Sequence, residues 1–153
     1  MQLSNNFTLK ELTKSQTATR KGIHNEPSTE HVENLIHLAK NILQPVREHF
    51  GKPVIISSGY RSPELCEAIG SSAKSQHAKG EAADFEIGGV DNKELAAWIA
   101  ANCDFDQLIL EFYEEGDPNS GWVHCSSSME KSRKQMLKAE KIAGRTSYSQ
   151  ILF

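Results

Sequence analysis

The stretch "SQHAKGEAADFEI", Ser75 to Ile87, sets His77 and Asp84 seven residues apart. Small residues at Ala78, Gly80, Ala82 and Ala83 allow close backbone approach, and the gap is long enough for a loop to turn and enter a strand. "EAADFEI" alternates, so Ala83, Phe85 and Ile87 share one face while Asp84 and Glu86 take the other. A small, apolar strand therefore carries a carboxylate that is costly to bury without a partner. A metal ion would compensate it, and so would an arginine. Catalytic zinc takes three protein ligands drawn from His and carboxylate and keeps a further position open. His124, in "WVHCS", would complete such a set with His77 and Asp84. Each member alone is weak evidence, since His24, His31, His37 and His49 sit in or before the first helical region with no partner pattern.

Outward from this stretch the chain alternates helix and strand signals. "PSTEHVENLIHLAKNILQPVREHFG" opens with Ser28 as N-cap and repeats apolar residues at helical spacing from Val32 to Phe50, where Gly51 stops it. Pro45 lies inside the pattern and removes a backbone donor, which predicts a kink about one turn upstream within one continuing helix. "KPVIISS" is a β-branched run expected to form a buried strand. "GYRSPELCEAIG" then turns into a short helix capped by Ser62 with Pro63 at its first position, which puts Arg61 at a strand-to-helix junction. "DNKE" from Asp91 is a capping box ahead of the stripe Leu95, Trp98 and Ile99. "DQLILEFYEEGDPNSGWVHCS" has the grammar of a β-hairpin, with Gln107, Ile109 and Glu111 on one side and Trp122, His124 and Ser126 sharing a face of the return strand. The order implies an α+β fold with a partly antiparallel sheet flanked by helices.

The 153 residues fit one domain, with a core expected over about 28–128 and a basic tail over 129–153 that carries order only near "TSYSQILF". That tail holds six Lys/Arg against two Glu, leaving −7 on the rest of a chain whose net charge is −3. A basic end of this kind can meet an anionic polymer or simply be solvated. An acidic body and few aromatics in the tail argue against nucleic acid, and no apolar run approaches a membrane span. The N-terminal residues lack a signal-peptide pattern, so synthesis in the cytoplasm is expected. Three cysteines without paired spacing read as free thiols, and a monomer is the expected state.

"SSGYRSPELCEAIGSSAKSQHAKGEAADFEI", "FDQLILEF" and "GWVHCS", in that order, resemble the zinc peptidoglycan peptidases: D-alanyl-D-alanine carboxypeptidases and phage L-alanyl-D-glutamate endopeptidases, whose fold the hedgehog signalling domain shares. "NFTLKELTKSQTATRKGIHNEP" is similar to phage-type members as well. The resemblance implies that His77, Asp84 and His124 hold Zn²⁺, that Arg61 binds substrate, and that Ser75 binds substrate or orients its loop. A salt bridge from Arg61 to Glu64 or Glu67 is the competing reading. Many relatives place a glutamate base three residues before the last histidine ligand, where this chain has Gly121. Glu111 is the nearest chemical equivalent, provided that its face of the hairpin is the one bearing His124. The implied activity is hydrolysis of a peptidoglycan stem peptide, either at terminal D-Ala or between L-Ala and D-Glu, at the cell wall after release or on a virion. A non-catalytic zinc-binding module is the rival that Gly121 keeps open.

Overall fold

The computed structural model describes residues 1–153. The N-terminal residues form a small hairpin, β1 (Gln2–Ser4) and β2 (Phe7–Thr8), then two short helices, α1 (Leu9–Thr13) and α2 (Gln16–Lys21). Thr8 and Ser15 start these helices by accepting hydrogen bonds from Glu11 N and Ala18 N. Leu3, Phe7 and Leu12 enter the main core, so this segment packs as part of the body.

The long helical region keeps its Ser28 cap, which accepts from His31 N, and runs through α3 (Thr29–Leu38), a π-helical turn (Ala39–Leu43) and α4 (Gln44–Phe50). The irregularity falls one turn before Pro45, as the sequence predicts. Pro45 has no N–H to return to that turn, and Gln44 N donates instead to the carbonyl five residues back, at Ala39. Gly51 ends α4 in the left-handed conformation.

Next come β3 (Val54–Ser58), α5 (Pro63–Ala68), a 3₁₀ turn (Gln76–Lys79), β4 (Ala82–Ile87), α6 (Asn92–Asn102), β5 (Gln107–Glu111) and β6 (Trp122–Ser126). Ser62 and Pro63 open α5 in the expected way. Asp91 caps α6 through Lys93 N, one position earlier than a capping box uses. The last two strands, β7 (Gln135–Ile142) and β8 (Arg145–Gln150), lie in the basic segment that carries little signal in the sequence.

Six strands form one mixed sheet in the order β3-β4-β6-β5-β7-β8. All neighbours are antiparallel except β5 and β7. Contrary to the sequence expectation, β3 is an edge strand: it pairs with β4 alone, and Ile55 is 60% exposed. Its β-branched run promises a strand but not two partners. The sheet separates two environments. Ala83, Phe85, Leu108, Leu110, Val123 and Cys125 point into a core shared with Leu35, Leu38, Ile42, Leu95 and Ile99. The opposite face carries Asp84, His124 and Glu111. No helix is long and apolar enough to cross a membrane.

Phe85 is fully buried at the centre of the core face. Phe85→Ala is expected to lower stability by about 3–5 kcal/mol, read as a shift of the urea unfolding midpoint without a change in slope.

Candidate metal centre

Asp84 and His124 are directly opposite each other in the antiparallel pair β4–β6, and Asp84 Oδ1 lies 2.9 Å from His124 Nδ1. His77 comes from the 3₁₀ turn that precedes β4. Ser75 starts this turn by accepting from His77 N, and Gly80 ends it in the left-handed conformation. Gly80 also passes close to the α3 backbone, where a Cβ would stand 2.6 Å from the carbonyl oxygen of His31. The small residues of the opening stretch thus bring the loop against the helix and turn His77 onto the sheet.

His77, Asp84 and His124 are each no more than 9% exposed, and one ligand atom from each lies within 4.8 Å of the others. The hydrogen bonding assigns the His77 tautomer. Its Nδ1 lies 2.8 Å from the carbonyl of Gly59, which can only accept, so Nδ1 carries a proton and Nε2 is the nitrogen left to face the site. Nε2 lies 3.4 Å from Asp84 Oδ1. An unprotonated Nε2 and a carboxylate repel at this distance, and either a proton on Nε2 or a metal cation between them relieves it. The other ring nitrogen of His124, Nε2, is buried without a partner. A divalent ion fits this set, and the donors are those of a catalytic zinc site. Burial alone would push the Asp84 carboxyl up, but hydrogen bonds and charge from His124 and His77 overcome it and hold Asp84 well below the usual carboxylate range.

Glu111 pairs with Trp122, and Ile109 pairs with His124, so Glu111 and His124 share a face two residues apart along the sheet. Burial pushes the Glu111 carboxyl above its ordinary range and the Asp84 charge adds to this, while His124, Trp122 and Arg61 pull partly back. Trp122 Nε1 has no partner within hydrogen-bond geometry, so its pull is that of a nearby dipole. Gly121 could not bear a glutamate in this backbone. It has φ +63°, and a Cβ there would stand 1.9 Å from the carbonyl oxygen of Glu111.

Arg61 is tied to the metal loop through its own N–H, which donates to the carbonyl of His77 at 3.1 Å. Its Nε is buried and unpartnered, and it forms no ion pair with Glu64 or Glu67. A cavity of about 520 Å³ opens beside it, lined by Lys14, Gln16, Ser57, Ser58 and Tyr60 among others. Cys125 points to the opposite side of β6 and is fully buried, and burial pushes its thiol well above the ordinary range.

Sequence reasoning misses one support of the loop. Asp106 is 1% exposed and accepts from Gln76 Nε2, from Arg133 N and from two nitrogens of the Arg133 guanidinium. It links the turn that carries His77 to the segment leading into β7. Its partners are 30 and 27 residues away, beyond any local pattern.

A model of the family described as Peptidase M15 matches residues 5–126 of the chain. No curated protein matches it.

Two outcomes follow from this geometry. Gly121→Ala is expected to cost about 2 kcal/mol or more in urea unfolding, because a left-handed alanine is strained and its methyl meets the backbone of Glu111. In chelator-treated protein, Glu111→Gln is expected to raise the unfolding midpoint at pH 7. A carboxyl raised in the folded state destabilises the fold once it must ionise, so the gain should fade as pH falls below the unfolded value of about 4.3.

Proposed function

The chain belongs to the peptidase M15 family, and from that premise we propose that it is a zinc-dependent peptidase hydrolysing a bond within peptidoglycan stem peptides. The observation that carries this reading is the cluster of His77, Asp84 and His124 with Glu111 on the same face of the sheet. Zinc held by these three residues supplies a Lewis acid for a carbonyl and eases the ionisation of water toward neutral pH.

The remaining chemistry falls to side chains of this chain. Glu111 takes a proton from the attacking water and passes it to the leaving nitrogen as the C–N bond breaks, which leaves one product with a carboxylate and the other with an amine. Its raised pKa suits a group that must both take and give a proton. Arg61 grips a substrate carbonyl or carboxylate oxygen through the terminal nitrogens of its guanidinium. His77 is held in its tautomer by Gly59, and Ser75 keeps its turn in shape. No covalent intermediate is required, and Cys125 takes no part.

The resemblance to wall-cleaving peptidases supports peptidoglycan as substrate, with D-Ala-D-Ala and L-Ala-D-Glu as the two candidate bonds. It also supports action at the bacterial wall after release or from a virion, where the cations of the C-terminal strands meet an anionic surface. The rival of a metal-binding module without a base loses its ground if Glu111 acts in place of a residue at Gly121.

Purified zinc-loaded protein is expected to cleave muropeptides and to stop when a chelator is added, with products read by mass spectrometry. Released D-Ala would mark a carboxypeptidase, and a cut after L-Ala an endopeptidase. Glu111→Gln should keep its zinc and lose activity by about 10²- to 10⁴-fold. Zinc-loaded wild type that cleaves no stem peptide would overturn the proposal.

A further inference from the structure

Four residues lie directly opposite one another across the sheet: Trp122 on β6, Glu111 on β5, Ala139 on β7 and Tyr148 on β8. Paired residues point to the same side, so all four share the face that bears His124, two residues along from Trp122. Strands are spaced about 4.8 Å apart, so Tyr148 is about 10 Å from Glu111 along the row. Only the methyl of Ala139 stands between them. The phenol of Tyr148 therefore borders the candidate site from the side opposite to β3 and Arg61.

Three further observations distinguish Tyr148 from an ordinary surface tyrosine. Of the chain's three tyrosines, Tyr60 and Tyr113 have their hydroxyls engaged by His31 and Asp91, whereas the Tyr148 hydroxyl has no protein partner. Tyr148 is 55% exposed, so a ligand can reach it. Burial of its inner part, followed by the charges of Glu111 and Asp84, raises its pKa, which places the ring within the electrostatic reach of both carboxylates and keeps it a donor at neutral pH.

We propose that Tyr148 is a substrate-contacting residue, donating its hydroxyl hydrogen to a carbonyl or carboxylate oxygen of the stem peptide on the far side of Glu111 from Arg61. The hairpin that carries it lies beyond residues 5–126, so this contact is outside the part of the chain that the family model matches. It rests on the peptidase reading and extends it. The substrate runs across the strands, held by a cation at one end and by a neutral donor at the other.

The test uses the full chain loaded with zinc and a muropeptide that the wild type cleaves. Losing one neutral hydrogen bond corresponds to about 3- to 10-fold in affinity. Tyr148→Phe is expected to raise KM by that factor with kcat little changed. In the Glu111→Gln background, where the peptide is bound but not cut, calorimetry should show the same loss of affinity. Ser149→Ala, on the opposite side of β8, should alter neither, and the urea midpoints of both variants should match the parent. Tyr148→Phe with KM and affinity equal to the parent overturns the role of Tyr148 and leaves the peptidase reading standing. Failure of the wild type to cleave or bind any muropeptide overturns both.

Discussion

The antiparallel register between β4 and β6 is the constraint on which the site depends. It places Asp84 opposite His124 and Ala83 opposite Cys125, so one strand pair supplies both two candidate ligands and part of the core. A slip of one residue would turn the carboxylate into the core and Phe85 toward the site. Burial of Phe85 on the core face therefore fixes where Asp84 must point. Stability and chemistry are coupled through the pleat.

Much of this was legible in the sequence because its signals were local. Ser28, Ser62 and Pro63 marked helix starts, and the period of two in "EAADFEI" and "QLILE" gave the correct faces; it fails at Phe112, where the backbone turns left-handed past the end of β5 and the ring packs on Trp122. The error at β3 has a plain origin: a β-branched run reports strand conformation, while the number of neighbours a strand acquires is decided elsewhere. Past Met129 the difficulty was different. In β7 only Ala139 is fully buried, and β8 is exposed along most of its length, so neither strand shows the alternation that burial imposes. Asp106 was missed because its partners are far away in sequence.

Gly121 and Glu111 show how one backbone position constrains the strand beside it. The left-handed turn at Gly121 brings the chain against the carbonyl of Glu111, and that close approach leaves no room for a side chain. The same approach sets Glu111 beside Trp122 at the mouth of the hairpin, on the face of His124. A glycine that looked like a missing base in the sequence is, in the fold, what allows a carboxylate from the neighbouring strand to come near.

The parallel seam between β5 and β7 bears on how the molecule moves. The β7–β8 hairpin closes through the short turn at Ala143 and Gly144 and needs little chain entropy to form on its own. Its union with β5 joins residues 28 apart, such as Leu108 and Met136, through the less stable kind of strand pairing. Opening of that seam would release the hairpin as one cooperative unit while β4, β6 and the three candidate ligands stay in place. In amide-exchange terms, such an opening would expose the hairpin carrying Tyr148 ahead of β4 and β6, which carry Asp84 and His124.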